Sequence, residues 1–141
     1  MGRKERGFVR KPKIDTHREY AMLEGYYRRL DSLKGELLER KFEEIFTLGL
    51  EGNAFPAWIL GYRRGQSAEE ARGINGVIQT DIGKIPIQIK SSQRGGMRAR
   101  RRNPGVPWVI MGINSDTLEI IGKVTFVIAK KRKELLENSR A

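Results

Sequence analysis

Gln88 and Lys90 alternate with isoleucine in a short segment, residues 85–91, that ends at Ser91. This alternation predicts a β-strand, because successive side chains of a strand point to opposite faces of its sheet. Gln88 and Lys90 would therefore share one face, while the isoleucines occupy the other. Polar groups beside an apolar surface cost free energy unless they are paired, and a metal ion together with a phosphate would pair them. The pattern thus predicts a site for phosphate chemistry.

Asn75 joins this pair through a predicted hairpin. Two runs rich in β-branched residues flank a short polar break that contains a glycine, residues 81–84, and this is typical of a hairpin. A turn centred on the break would put Asn75 directly opposite Lys90. Asn75, Gln88 and Lys90 would then converge on one patch, provided that the register does not slip by one residue.

Glu39 is the candidate carboxylate of this site. It shares one stripe of a predicted helix with Glu36 and Glu43. Because Glu43 stands four residues on and is also acidic, no ion pair at that spacing explains Glu39. A metal ligand and an ordinary surface residue both remain open.

At these residues the chain resembles the PD-(D/E)xK nuclease superfamily, and within it the archaeal Holliday-junction resolvases. Gly35 and Glu39 match the Gly-x-x-x-Glu helix of that family. Gln88-Ile89-Lys90 matches its (Glu/Asp/Gln)-x-Lys strand, and residues 107–112 match the strand that follows. The resemblance covers roughly residues 34–115, and it implies a restriction-endonuclease-like core.

The resemblance also implies an activity and a site. The activity is hydrolysis of DNA phosphodiesters with Mg²⁺, for which Mn²⁺ may substitute. Glu39, Asn75 and Gln88, together with the Ile89 carbonyl, would hold the ion. Lys90 would orient the attacking water or stabilise the charge that develops in the transition state. A structure-specific nuclease cuts two strands, so a homodimer is implied as well.

Position 75 departs from the family pattern, which has a metal-binding Asp there. The amide oxygens of Asn75 and Gln88 bring no charge to a divalent cation, so Glu39 is the only carboxylate of the set unless Glu69 or Glu70 is recruited. The chain is therefore expected to bind DNA better than it cuts it. Two alternatives stay open: a non-cleaving nucleic-acid-binding module on a nuclease fold, and an RNA-binding basic protein.

The segment 93–107 is predicted to be a nucleic-acid-binding loop. Three glycines and two prolines favour a loop, and four arginines occur within five residues of it. Arginines this close repel one another, which favours an anionic partner. The predicted contacts to nucleic acid are Ser91, Ser92, Arg94, Arg98, Arg100, Arg101 and Arg102.

The periodicity along the chain predicts an α/β fold, α+β by strict reckoning, with a mixed central sheet of about four strands flanked by helices. Residues 1–14 are predicted to be a basic flexible arm, and residues 15–141 a single domain. One predicted helix carries a buried apolar stripe of Leu38, Phe42, Ile45 and Phe46. The predicted elements are helices at 16–31, 34–49 and 124–137 and strands at 56–62, 74–80, 85–91 and 108–113.

Composition limits the classes of function. The chain has 141 residues and a formal net charge of +11, and such an excess favours a polyphosphate partner through counterion release. An anionic membrane surface is the competing partner, but the basic residues occur in several places, which favours DNA. The absence of cysteine and the single histidine argue against thiolate metal sites and histidine triads. Neither a secretory signal nor an apolar run of about 20 residues is found, which predicts a cytoplasmic protein.

Overall fold

The computed structural model describes residues 16–140. The basic arm predicted at 1–14 lies outside these residues. The chain divides into two compact units, Met1–Lys34 and Gly35–Ala141. Within residues 16–140, the four strands and the candidate site belong to the second unit.

The first helix, α1, spans Thr16–Glu51, where two separate helices were predicted. The predicted boundary falls near Ser32 and Gly35, residues of lower helix propensity than alanine. An isolated glycine costs a helix only about 1 kcal/mol relative to alanine, and no proline interrupts the segment. The helix therefore continues through the predicted boundary.

The second half of α1 contributes its apolar stripe to the core. Leu38, Phe42, Ile45 and Phe46 are all buried, which confirms the predicted stripe. Gly49, the predicted end of the helix, lies inside it: a Cβ at this position would be 2.5 Å from a ring carbon of Phe55. Close packing, and not termination, is what glycine provides here.

A four-stranded mixed sheet packs against this stripe, and it confirms the predicted α/β class. The strand order is β1-β2-β3-β4, with two antiparallel pairings followed by one parallel pairing. The strands are β1 (Ile59–Arg64), β2 (Gly76–Thr80), β3 (Gly83–Lys90) and β4 (Trp108–Ile110), and the other helices are α2 (Ser67–Ala71), α3 (Gln93–Arg102) and α4 (Thr117–Ser139).

The two faces of β3 differ as the alternation predicted. Ile85, Ile87 and Ile89 are buried in the core formed with α1 and α4. Gln88 and Lys90 consequently point to the opposite face, which α3 covers. Their neighbours in the β3–β4 register, Trp108 and Ile110, point to that face as well.

The hairpin between β2 and β3 has a tighter turn than predicted. Thr80 pairs with Gly83, so that only two residues connect the strands, and Gly83 has a φ of +122° that suits glycine. The register differs from the predicted one by two residues, and its continuation places Asn75 opposite Gln88 and not opposite Lys90. Because side chains alternate with a period of two, this shift keeps every residue on its predicted face.

The segment predicted as a loop at 93–107 begins with the helix α3. Its N-cap is Ser92, whose side chain accepts a hydrogen bond from the Gly95 N–H at 3.1 Å. Gly96 lets the helix approach β4, because a Cβ there would overlap the Trp108 ring. The glycines that favoured a loop therefore serve to pack a helix closely on the sheet.

Replacing Gly96 with alanine is expected to lower the free energy of unfolding by about 1–3 kcal/mol, since the added methyl overpacks the α3–β4 contact. The matched control is Gly35→Ala, also within a helix, where no atom lies within 4 Å of the added Cβ. That change should raise stability by roughly 0.5–1 kcal/mol. Urea unfolding of both variants measures the difference, and equal stabilities would contradict the packing of α3 on Trp108.

The last helix, α4, begins earlier than residue 124, where it was predicted to start. Asp116 is its N-cap and accepts a hydrogen bond from the Glu119 N–H at 3.1 Å. The segment 118–121 also belongs to this helix, and its residues Ile120 and Ile121 are buried. Among residues 16–140, no helix has both the length and the apolar character needed to cross a membrane.

Candidate functional site

Asn75 immediately precedes β2, and its backbone is hydrogen-bonded to both neighbouring strand segments. Its N–H donates to the Ile87 carbonyl at 3.1 Å, and its carbonyl accepts from the Gly65 N–H at 2.7 Å. Its side-chain Oδ1 accepts from the Ile89 N–H at 2.7 Å. The amide oxygen that was predicted to face a metal ion is thus bonded to the backbone of β3.

Gln88 is buried beneath α3, with 1% of its surface exposed. Its Oε1 accepts a hydrogen bond from Asn103 Nδ2 at 3.3 Å, and the same Nδ2 donates to the Arg72 carbonyl at 2.7 Å. Gln88 Nε2 has no hydrogen-bond partner within the described part of the chain. A buried donor left unpaired costs about 1–3 kcal/mol, so Gln88 is a costly residue for this position.

Lys90 ends β3 on the same face and is half-buried. Burial lowers the pKa of its ammonium, and the guanidinium groups of Arg102 and Arg98 lower it further, while the carboxylate of Glu39 opposes them. The Lys90 ammonium makes neither a hydrogen bond nor an ion pair within residues 16–140. It therefore lies within electrostatic range of two guanidinium groups of α3 and of the Glu39 carboxylate without a direct bond to any of them.

The Glu39 carboxylate lies within electrostatic range of Lys90, but within residues 16–140 it forms no ion pair with that lysine. Glu39 lies on α1, which packs on the core face of the sheet, and its carboxylate is 3.3 Å from Arg64 of β1. The same guanidinium is 2.9 Å from Glu36, and the pKa of Glu36 is lowered chiefly by that hydrogen bond. Glu39 thus forms an ion pair with a strand residue 25 positions further along the chain. The spacing of residues within the helix could not indicate this pairing.

The other candidate carboxylates lie elsewhere. Glu69 accepts from both terminal nitrogens of Arg63 at 2.7 and 3.0 Å, and it also accepts from the Gln66 N–H. Those bonds lower the pKa of Glu69 to about 2. Glu70 is exposed on α2. Among residues 16–140, no group of three or more histidine, cysteine, aspartate or glutamate side chains could hold a metal.

The residues of this site do not fit a Mg²⁺ ion. Mg²⁺ requires closely spaced oxygen ligands, usually with one or two carboxylates. Here Asn75 Oδ1, Gln88 Oε1 and Glu39 Oε1 each accept a hydrogen bond from another protein group, and Glu39 is the one carboxylate among the three residues. We therefore derive no reaction step through a metal at these residues.

The helical form of α3 arranges its arginines into two groups. Arg94, Arg98, Arg101 and Arg102 have the spacing of one helical stripe, next to the stripe that packs on the sheet, and Arg100 lies on the opposite flank. All five are exposed. The Arg102 side chain donates to the Ala71 carbonyl at 2.7 Å, whereas the side chains of the other four make no hydrogen bond or ion pair within the described residues.

The serines predicted to contact nucleic acid have different surroundings. Ser92 caps α3 through the bond to Gly95 described above, and Ser91 is exposed immediately before it. Comparison with known proteins found no matching family model, no similar curated protein and no similar solved structure. The resemblance to PD-(D/E)xK nucleases therefore depends on the residues of this chain alone.

Asn103 is the main site residue that sequence reasoning missed. It follows the arginine run directly and is the C-cap of α3. The spacing of Gly95, Ala99 and Asn103, four residues apart, was the available signal, because it places small residues and one amide on a single helical face. The glycines and prolines of the segment concealed that signal.

Proposed function

We propose that this chain is a nucleic-acid-binding module that binds DNA phosphates at α3 and the end of β3 and does not cut them. One observation carries the proposal: the half-buried Lys90 ammonium lies within electrostatic range of Arg98 and Arg102 and has no ion pair within the described residues, while the nearby Glu39 carboxylate is paired with Arg64. Mutual repulsion of cations is unfavourable in the absence of a partner, and a phosphate placed among them would relieve it.

The surroundings of this cluster support a polyanion as the partner. The adjacent arginines of α3 extend the positive surface along one helical stripe, and the whole chain has a net charge of +11. Neutralising several phosphates releases counterions, and this release supplies most of the affinity for nucleic acid. The positive surface is larger than a single small anion could cover, which favours a partner with several phosphates.

The order of elements supports the resemblance to PD-(D/E)xK nucleases without demonstrating it. A helix with Glu39 precedes three antiparallel strands, the third of which contains Gln88-Ile89-Lys90, and a basic helix leads to a parallel fourth strand. DNA is proposed as the partner on this resemblance. RNA is the alternative, and competition between duplex DNA and duplex RNA of equal length distinguishes them.

Binding without cleavage follows from the side chains of the site. Asn75 and Gln88 contribute amides where charge would be needed, and the Glu39 carboxylate is paired with Arg64. A metal-dependent nuclease is the second candidate, because the observed register places position 75 opposite position 88. The substitution Asn75→Asp separates the two candidates, since it would supply the missing charge at that place.

Lys90 provides a test of the phosphate-binding cluster. Since its pKa is lowered from 10.5, its ammonium loses its proton as pH rises toward that value, earlier than an exposed lysine would. We expect the DNA affinity of the native chain to fall over this alkaline range. In Lys90→Arg the fall should be smaller, because a guanidinium stays protonated there.

Fluorescence anisotropy with one DNA duplex at a series of pH values measures both proteins. Titration of the DNA bases affects both equally, so the difference reports on residue 90. Lys90→Ala should also reduce the slope of log affinity against log salt by about one. Identical pH profiles for the native chain and Lys90→Arg would place the phosphates elsewhere.

A further inference from the structure

We infer that the groove between β4, α3 and α4 binds an unpaired nucleobase of a single-stranded nucleic acid. The inference rests on the proposed binding of nucleic acid and adds the kind of strand that is bound. It concerns a surface separate from the patch of Asn75, Gln88 and Lys90.

The groove consists of two adjoining cavities of about 390 and 480 Å³. Three residues line both of them: Trp108, Phe126 and Val127. The smaller cavity follows β4, which is the last strand of the sheet, and the larger continues toward the C-terminal half of α4. Together the two cavities form one groove along the edge of the sheet, and its shared lining is apolar and partly aromatic.

Phe126 is the most informative residue of this groove. It is 72% exposed, although α4 buries Val124 and Ile128 on its core-facing stripe. An exposed phenylalanine forgoes the burial of a large apolar side chain, so a partner that covers the ring would gain that free energy. An aromatic ring beside an apolar cleft is the arrangement on which a base can stack.

The charges around the groove determine which partner is suitable. Arg100, Lys130 and Lys131 line the larger cavity, and Glu134, 3.8 Å from Lys131, is the carboxylate among its lining residues. Lys123 lines the smaller cavity and is paired with Glu119 at 3.2 Å. A base could stack on the aromatic residues of the groove, and the surrounding cations would then be opposite in charge to the phosphates on either side of that base.

The position of Arg100 on α3 also supports a nucleic-acid strand. Arg100 lies on the flank opposite the other four arginines and lines the larger cavity, so a strand in the groove would meet the positive charge of α3 there. Bases within a duplex already stack on one another and would not reach Phe126. The partner is therefore a strand with unpaired bases, of DNA or RNA.

Phe126→Ala tests the inference, with Leu118→Ala as the matched control. Leu118 is on the same helix and is equally exposed, at 72%, but it lines neither cavity. We expect Phe126→Ala to weaken binding of oligo(dT) and oligo(U) about tenfold and to leave the affinity for a blunt duplex unchanged. Leu118→Ala should change none of these affinities, and the two oligonucleotides compare DNA with RNA.

Trp108 provides an independent readout. The chain has two tryptophans, so in a Trp58→Phe background the emission reports on Trp108 alone. Binding of either single strand should quench this emission, and Phe126→Ala should reduce the quenching at equal saturation. Unchanged affinity together with unchanged emission would overturn the inference.

Two further measurements distinguish a stacking site from a dimer interface and from a loss of all nucleic-acid binding. If Phe126→Ala alters the sedimentation coefficient of the free protein but not the affinity for single strands, the groove binds a second copy of the chain and the inference is wrong. If a duplex still binds through the arginines of α3 while Phe126→Ala has no effect, only the stacking site is wrong. If neither duplex nor single strand binds, the proposed function itself fails.

Discussion

Replacing Arg98, Arg100 and Arg101 with alanine is expected to weaken DNA binding by about 10²–10³-fold at roughly 50 mM salt. None of these side chains makes a hydrogen bond within the described residues, and alanine favours a helix, so α3 should persist. Each lost phosphate contact lowers the slope of log affinity against log salt by about 0.9. The triple variant should therefore reduce that slope by nearly three.

The control for this variant changes the net charge equally at other places. Arg29, Lys34 and Lys84 are exposed and lie outside α3, so their replacement with alanine should leave most of the affinity and of the salt slope intact. Titrations at several salt concentrations, with circular dichroism to verify the fold, measure both variants. Equal losses in the two would show that net charge, and not the surface of α3, determines binding.

Asn75→Asp separates the proposed binding module from the second candidate, a nuclease that lacks one metal ligand. The binding module should cut DNA neither before nor after this change, whereas for the nuclease the variant should raise cleavage with Mg²⁺ or Mn²⁺ by orders of magnitude. One oxygen of the introduced carboxylate can keep the bond from the Ile89 N–H, which Asn75 makes at 2.7 Å. The second oxygen would supply a negative charge opposite Gln88, where a divalent cation needs it.

The cleavage assay compares the native chain, Asn75→Asp and the double variant Asn75→Asp with Lys90→Ala on branched and duplex DNA. If Asn75→Asp cuts DNA, the double variant should be inactive, because Lys90 belongs to the cluster proposed to bind the phosphate. Thermal denaturation with and without Mn²⁺ separates metal binding from activity. If Asn75→Asp binds DNA normally and never cuts it, the resemblance to nucleases concerns the order of elements alone, and the binding proposal stands.

Periodicity in the sequence was sufficient to determine the faces of the sheet. The alternation of Ile85, Ile87 and Ile89 with Gln88 and Lys90 assigned each side chain correctly, even though the predicted register was wrong by two residues. An even shift cannot exchange the faces, because strand side chains repeat every two residues. The buried stripe of α1 was equally predictable, since it depends only on neighbours three and four residues apart.

The conformation of α3 could not be predicted from its local sequence. Gly95 and Gly96 favour a loop when their segment is considered alone. In the fold, Gly96 packs against Trp108, which is twelve residues further along and belongs to a strand. The tertiary contact reverses the local preference because it requires a residue without a side chain on the covered face of a helix.

The composition of the candidate site was likewise decided by tertiary structure. The sequence predicted that Glu39 would share one site with Asn75 and Gln88. In the fold, α1 packs on the core face of the sheet, and Arg64 of β1 forms an ion pair with the Glu39 carboxylate. The charge and face of each residue were thus determined locally by the sequence. Which groups meet depends on the side of the sheet that each helix covers and on pairings between distant segments, and these are set by burial of the whole core.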